Sequence, residues 1–227
     1  IARGTELCIS AFKALEPLIL GLDLSWITHD MGRFWRHLTG DSQLRWVGPD
    51  KGILHLATGA VVNAVWDLWG KYEKKPVWQL VYDMSPKEIV RLIDFRYLTD
   101  ALKPEEALEI LENSSADKEN RLSILMDEGY PCYNTSAGWL GYSDKKLYEL
   151  CVKAKNSGFS HLKFKVGKDL NDDIRRLKVA RKALGTDVRI MIDANQVWEV
   201  DEAIEWIKEL EFADPFFIEE PTSPDDI

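Results

Sequence analysis

The chain is poor in the features that mark several large classes of protein. Its 227 residues hold three cysteines, Cys8, Cys132 and Cys151, an odd number at wide spacing that argues against a disulfide framework and fits a reducing compartment. Its four histidines, His29, His37, His55 and His161, share no metal-ligand spacing, so no zinc site is expected from Cys and His. Positive charge is not in excess: 29 Lys+Arg stand against 38 Asp+Glu, a formal net charge of −9. Such a chain has no field to draw in nucleic acid or an anionic membrane, and neither is expected as a partner. No apolar run approaches the ~20 residues of a spanning helix, which predicts a soluble protein. Nor does any turn carry the Gly-x-Gly-x-x-Gly pattern of a dinucleotide-binding loop. The start, IARGTELCIS, shows neither an initial Met nor a signal-peptide pattern and is read as cut from something longer.

What is present is ample core material, with 45% hydrophobic residues and nine Trp, enough for one large domain or two ordinary ones. The first half reads as helix. Ala57, Ala60, Val61, Ala64, Val65, Leu68, Trp69 and Tyr72 form one apolar stripe at helical spacing. Weaker helical patterns run over 7–20 and 27–38, and Pro-Glu-Glu opens a helix at 104–113. Trp66, Trp69 and Trp78 are read as packing residues rather than a carbohydrate platform.

After Gly129 the rhythm changes to short apolar strands alternating with helices: CYNTSAGW, a helix from Asp144, HLKFKVG, a helix from Asn171, VRIMIDAN, a helix from Asp201, then PFFIEEP. Repeated βα units demand a parallel sheet with right-handed crossovers. An open doubly wound sheet and part of a (β/α)8 barrel both fit. Functional side chains at the C-terminal ends of several strands, with no glycine-rich loop, favour the barrel.

Lys163 and Lys165 lie two apart on HLKFKVG, so strand alternation sends both to one face and Phe164 to the other. An isolated Lys-x-Lys pair usually reaches solvent from a strand end. On a buried face, each cation would depress the pKa of the other and leave one neutral as a general base. Asp193 closes the next strand, RIMID, and Glu219 the one after, FFIE. A single acid at a strand end is commonly a cap or loop hydrogen-bonder. Two at one-unit spacing, preceded by the lysine pair, are instead expected on one rim, where hard carboxylate oxygens suit Mg²⁺.

These runs, HLKFKVG, MIDANQVW and FIEEPTSPDDI, resemble the mandelate-racemase branch of the enolase superfamily, and more narrowly its L-fuconate dehydratase group, whose animal members are mitochondrial. HLATGAVVNAVWDLWGKYEKKPVWQL, IDFRYLTD and AGWLGYSD extend the resemblance over nearly the whole chain. It implies an α/β protein: a partial α+β cap domain over residues 1–128, then the first four strands of a modified (β/α)8 barrel over 129–227. It implies Lys165 as the base that takes the proton alpha to a substrate carboxylate, with Lys163 as its partner touching that carboxylate. Asp193 and Glu219 match Mg²⁺ ligands, Asn195 matches a substrate-side polar residue, and Glu220 matches no ligand. Tyr133 and Ser136 are weaker substrate candidates, each equally readable as a core Tyr and a turn Ser.

The implied reaction is dehydration of an acid sugar, L-fuconate above all, by a hydro-lyase, in an intracellular, mitochondrial or cytoplasmic setting and with a homo-oligomer in the whole protein. A racemase or epimerase on the same base is the alternative within enzymes. Members of the branch carry a third acidic ligand and a histidine acid further along than Ile227, so the chain is expected to be an internal fragment. A truncated, inactive product or an interaction module is the alternative of another class.

Overall fold

A computed structural model describes residues 4–47 and 52–225; the ends of IARGTELCIS and FIEEPTSPDDI fall outside these. The chain divides into two compact units, residues 1–124 and 125–227.

The described residues of the first unit are helical. Its helices are α1 (Thr5–Leu15), α2 (Leu24–His29), α3 (Met31–Thr39), α4 (Ile53–Glu73), α5 (Val77–Asp83), α6 (Pro86–Val90) and α7 (Pro104–Ser114), followed by the start of α8 (Lys118–Glu128). The apolar stripe predicted from Ala57 becomes α4, which starts a turn earlier and buries Leu54, Ala57, Val61 and Val65. Against it pack Ala11 and Leu15 of α1 and Ile27, Met31, Phe34 and Leu38 of α2 and α3. Each fully buried Leu or Phe contributes roughly 1.5–3 kcal/mol, which holds together helices too short to persist alone. Trp66 and Trp69 stack with centroids 5.0 Å apart and lie against this core. At its edge the Asp94 carboxylate receives Arg36 Nε and Nη2 at 3.0 and 2.5 Å and the Arg96 N–H at 3.1 Å.

The second unit carries α9 (Asp144–Asn156), β1 (His161–Lys165), α10 (Leu170–Leu184), β2 (Arg189–Asp193), α11 (Val200–Leu210) and β3 (Pro215–Glu219). The strands form a parallel sheet in the order β1-β2-β3. Local signals set the helix ends: Ser143 and Asp169 accept from the backbone N–H of Lys146 and Asp172, and Gly185 closes α10 at φ 70°. Leu162 and Phe164 of β1 and Ile190 and Ile192 of β2 face a core with Leu147, Cys151, Leu177, Ala180 and Leu184. Burial pushes the Cys151 thiol up to about 12, which leaves it inert. Alternation sends Lys163, Lys165, Met191 and Asp193 to the opposite face.

Four strands were expected here, and the described residues contain three. The segment expected to lead, CYNTSAGW, makes only a single parallel bridge, Asn134 to Leu162. Asn134 N–H donates to His161 O and Lys163 N–H to Asn134 O, both at 3.0 Å, and the next contact is Lys165 N–H to Gly138 O at 2.9 Å. The segment thus advances four residues while β1 advances two. The cause is local: Asn134 Oδ1 accepts from Ser136 N–H at 2.8 Å and Thr135 O from Gly138 N–H at 3.0 Å, forming a turn that competes with the ladder. Gly138 is required where this turn meets β1, because a Cβ there would lie 1.9 Å from Lys163 O.

Candidate active site

The register of the sheet decides what meets what. Lys165 pairs with Asp193, and Asp193 with Glu219, so three charged residues stand side by side at the C-terminal ends of adjacent parallel strands. Lys163, one pleat back on β1, reaches the same point. Its Nζ donates to Glu219 Oε2 at 2.6 Å and lies 3.2 Å from Asp193 Oδ2. Lys165 Nζ donates to Asp193 Oδ2 at 2.6 Å and to Asn195 Oδ1 at 2.8 Å. The expected convergence of Lys163, Lys165, Asp193 and Glu219 is thus present, and Asn195 joins it.

Two cations against two carboxylates are close to neutral as a group, which is why they tolerate burial: the side chain of Asp193 is 2% exposed and that of Lys163 9%. Burial disfavours the Asp193 carboxylate, but hydrogen bonds from Lys165 and Lys163, their charge and the Asn195 N–H outweigh it and hold its pKa below the usual range. Burial likewise disfavours the Lys163 ammonium, and Glu219, Asp193 and Tyr133 outweigh it in the other direction. The expectation of mutual depression within the lysine pair is therefore corrected at Lys163, whose pKa is raised. Glu219 Oε2 at 2.6 Å and Asp193 Oδ2 at 3.2 Å from its Nζ favour the charged form.

Aromatic residues flank the ammoniums. The Tyr133 ring centroid is 5.2 Å from Lys163 Nζ and the Trp139 ring 5.7 Å from Lys165 Nζ. Tyr133 therefore belongs to the cluster and Trp139 adds to it unforeseen. Ser136 does not join: it takes part through its backbone N–H in the Asn134 turn. His161 sits at the entry of β1, against Ser160 Oγ and the Phe216 ring, away from the acids.

Beyond the strand ends the backbone pairing continues. Ala194 N–H donates to Glu219 O at 3.1 Å, Gln196 N–H to Glu220 O at 2.7 Å and Trp198 N–H to Pro221 O at 3.3 Å. Asn195, Gln196 and Glu220 all have positive φ, at 52°, 63° and 49°. Non-glycine residues held in that region are strained, and such strain gathers at functional sites. Glu220, which matched no ligand, accepts Asn195 Nδ2 and Gln196 Nε2, each at 3.1 Å.

A second feature lies behind the cluster. Arg176 of α10 is fully buried. Its Nη1 donates to Lys165 O at 2.6 Å and to Asp173 Oδ1 at 3.2 Å, and its Nη2 to Gly138 O at 2.8 Å and Trp139 O at 3.2 Å. Asp173 Oδ2 in turn accepts Gly167 N–H at 2.7 Å and Trp206 Nε1 at 3.3 Å. The guanidinium ties the end of β1 to the loop carrying Trp139.

Asp193 and Glu219 offer hard oxygen donors at adjacent register positions, a set that fits a divalent cation which keeps open positions for substrate. Among the described residues no cluster of three or more His, Cys, Asp and Glu side chains converges. The donor set among the described residues is thus this pair of acids.

Comparison with known proteins gives the class to which the sequence and the fold belong. Residues 146–227 match the enolase C-terminal domain-like family, and the chain is a member of the enolase superfamily, with an α/β fold of the (β/α)-barrel type in its second unit. Among particular relatives, it is 51% identical over 227 residues to mitochondrial enolase superfamily member 1 of Homo sapiens, covering 100% of this chain and 51% of that one. The crystal structure of that human protein superposes with a TM-score of 0.92 over 99% of this chain and 51% of the other. L-galactonate dehydratase of Hypocrea jecorina is 51% identical over 230 residues, covering 100% and 51%. A racemase from Streptomyces coelicolor with bound magnesium is 26% identical, with a TM-score of 0.60 over 93% and 46%. The chain spans about half the length of the curated relatives it matches.

Proposed function

We propose that these residues form the base and metal-holding half of a Mg²⁺-dependent acid-sugar dehydratase, acting on L-fuconate to give 2-keto-3-deoxy-L-fuconate and water. The observation that carries this reading is Lys165 Nζ poised between Asp193 Oδ2 and Asn195 Oδ1 at a strand end, beside a second lysine and a second acid. Support for the substrate comes from chemistry: L-fuconate is the 6-deoxy analogue of L-galactonate, the substrate in the name of a relative 51% identical to this chain. Support for the metal comes from the two carboxylates and from the magnesium-bound relative.

Asp193 and Glu219 would hold the cation. When bound, Mg²⁺ supplies positive charge to the substrate carboxylate as its alpha carbon loses a proton. Lys163 and Lys165, which hydrogen-bond these carboxylates here, would turn toward substrate if Asp193 and Glu219 held the cation. Lys163 then meets the substrate carboxylate, and Lys165 takes the alpha proton. The electron pair of that C–H bond forms the enol double bond as the C3–O bond breaks. The departing hydroxyl would leave as water on a proton from a histidine acid of the kind the resemblance implies on the opposite face, and the enol tautomerises to the 2-keto acid. Asn195 and Tyr133 line the path of the hydroxyl-bearing carbons.

The test is ¹H NMR in D₂O on the full-length protein with Mg²⁺ and a panel of acid sugars including L-fuconate and L-galactonate. A keto product supports dehydration; alpha-deuterium exchange without it identifies a racemase or epimerase using the same base. Lys165→Ala should lower turnover by about 10²–10⁴-fold while leaving Mg²⁺ affinity nearly unchanged. Equal loss of both would refute Lys165 as the base. The 227 residues tested alone should show no turnover, since two acids with no third converging among the described residues hold Mg²⁺ weakly.

A further inference from the structure

Glu220 has no part in the reaction above, yet its carboxylate is shared between two amides. Its Oε2 accepts Asn195 Nδ2 and its Oε1 accepts Gln196 Nε2, both at 3.1 Å. On the other side of the Asn195 amide, Oδ1 accepts Lys165 Nζ at 2.8 Å. A lysine ammonium can only donate and a carboxylate can only accept. An amide between them has one orientation that satisfies both neighbours, and turning it over would set NH₂ against the ammonium and oxygen against the carboxylate. The backbone reinforces this pairing, since Asn195, Gln196 and Glu220 all hold positive φ and Gln196 N–H donates to Glu220 O at 2.7 Å. Three strained residues in one contact are unusual, and they aim the two side chains at each other.

We infer that Glu220 is a positioning residue: by fixing the Asn195 amide it keeps Asn195 Oδ1 on Lys165 Nζ and so holds the base in line with the alpha carbon. This rests on the proposed role of Lys165. It is a hydrogen-bonding role rather than one of charge, because Glu220 is exposed and its charge is screened by solvent. The distinction makes it testable. Glu220→Ala removes both acceptor oxygens. Glu220→Gln keeps one, which can face Asn195 while the exposed Gln196 amide turns over to meet the new NH₂.

The experiment measures Mg²⁺-dependent alpha-proton removal in D₂O, as keto product formed together with any alpha-deuterium exchange, Mg²⁺ affinity by calorimetry and thermal stability for the full-length protein and its variants. E220A should lower kcat for proton removal by about tenfold, with KM and Mg²⁺ affinity within about twofold of wild type and the melting temperature unchanged. E220Q should recover most of the lost rate. In an Asn195→Ala background, adding E220A should cost nothing further, because the path runs through that amide. The inference is overturned by E220A at the wild-type rate, by E220Q as slow as E220A, by a weakened metal site in either, or by additive losses in the double variant. Absence of both keto product and exchange in the wild type would instead refute the base assignment on which all of this stands.

Discussion

Replacing Arg176 with Met removes a buried guanidinium but keeps most of its volume. Four hydrogen bonds go with it, to Asp173 Oδ1 and to the carbonyls of Lys165, Gly138 and Trp139. Asp173 is left buried without its ion partner, although the Gly167 N–H and Trp206 Nε1 still donate to its Oδ2. Breaking a buried pair from one side costs about 3–5 kcal/mol. The two remaining donors to Asp173 place the expected loss at the lower end, ~3 kcal/mol, at pH 7. Burial already pushes the Asp173 carboxyl up and the Arg176 guanidinium down. A raised folded pKa contributes stability that is full below the unfolded value near ~3.9 and is lost as pH rises through the folded one. Without Arg176 the Asp173 pKa rises further, so the deficit of R176M should shrink as pH falls from 7 to 5. In the double variant R176M/D173N that pH dependence should vanish. Urea unfolding of the full-length protein at the two pH values measures both effects, from the shift in midpoint at constant slope. A loss under ~1 kcal/mol at pH 7, or a deficit indifferent to pH, would refute the reasoning.

Three further outcomes are expected. Gly138→Ala forces a methyl against Lys163 O, where a Cβ would lie 1.9 Å away, and should destabilise the second unit by ~3 kcal/mol or more in the same assay. Asp193→Asn should weaken Mg²⁺ binding by more than about tenfold in calorimetry while leaving the circular dichroism spectrum intact; unchanged affinity would remove Asp193 from the metal site. Asp94→Asn tests the first unit. Burial raises the Asp94 carboxyl, but Arg36, the Arg96 N–H and their charges outweigh it and lower its pKa. Its contribution is therefore present above the unfolded value near ~3.9 and lost as pH falls through the folded one. With Arg36 half exposed, the loss at pH 7 should be only ~1 kcal/mol and should fade in thermal melts as pH falls from about 4 through the lowered folded value.

Much of this was legible because two periods carry it. Period 3.6 marks α4, α9 and α10 nearly to their ends, and period 2 on HLKFKVG puts Lys163 and Lys165 on one face, where they are found. What escaped is local or three-dimensional. The lead segment reads as a strand until the side chain of Asn134 takes the Ser136 N–H and turns the chain. Asp173 and Arg176 do not stand out in the sequence, although they form a buried i,i+3 pair. The signal that could have exposed them is their phase: with Leu177, Ala180 and Leu184 they continue the buried stripe of α10. Trp139 and Glu220 gave no sequence signal. Their roles depend on loops that meet across strands, and on backbone conformations that residues other than glycine rarely adopt.

The hydrogen bonds that run past the strand ends, from Ala194, Gln196 and Trp198 to Glu219, Glu220 and Pro221, bind two loops into one part. For anyone reshaping this rim to accept another molecule, the unit of exchange is the pair. A loop transplanted after β2 alone would arrive without the carbonyls that its own amides were folded against, and the loop left behind after β3 would keep a curvature made for a neighbour no longer there.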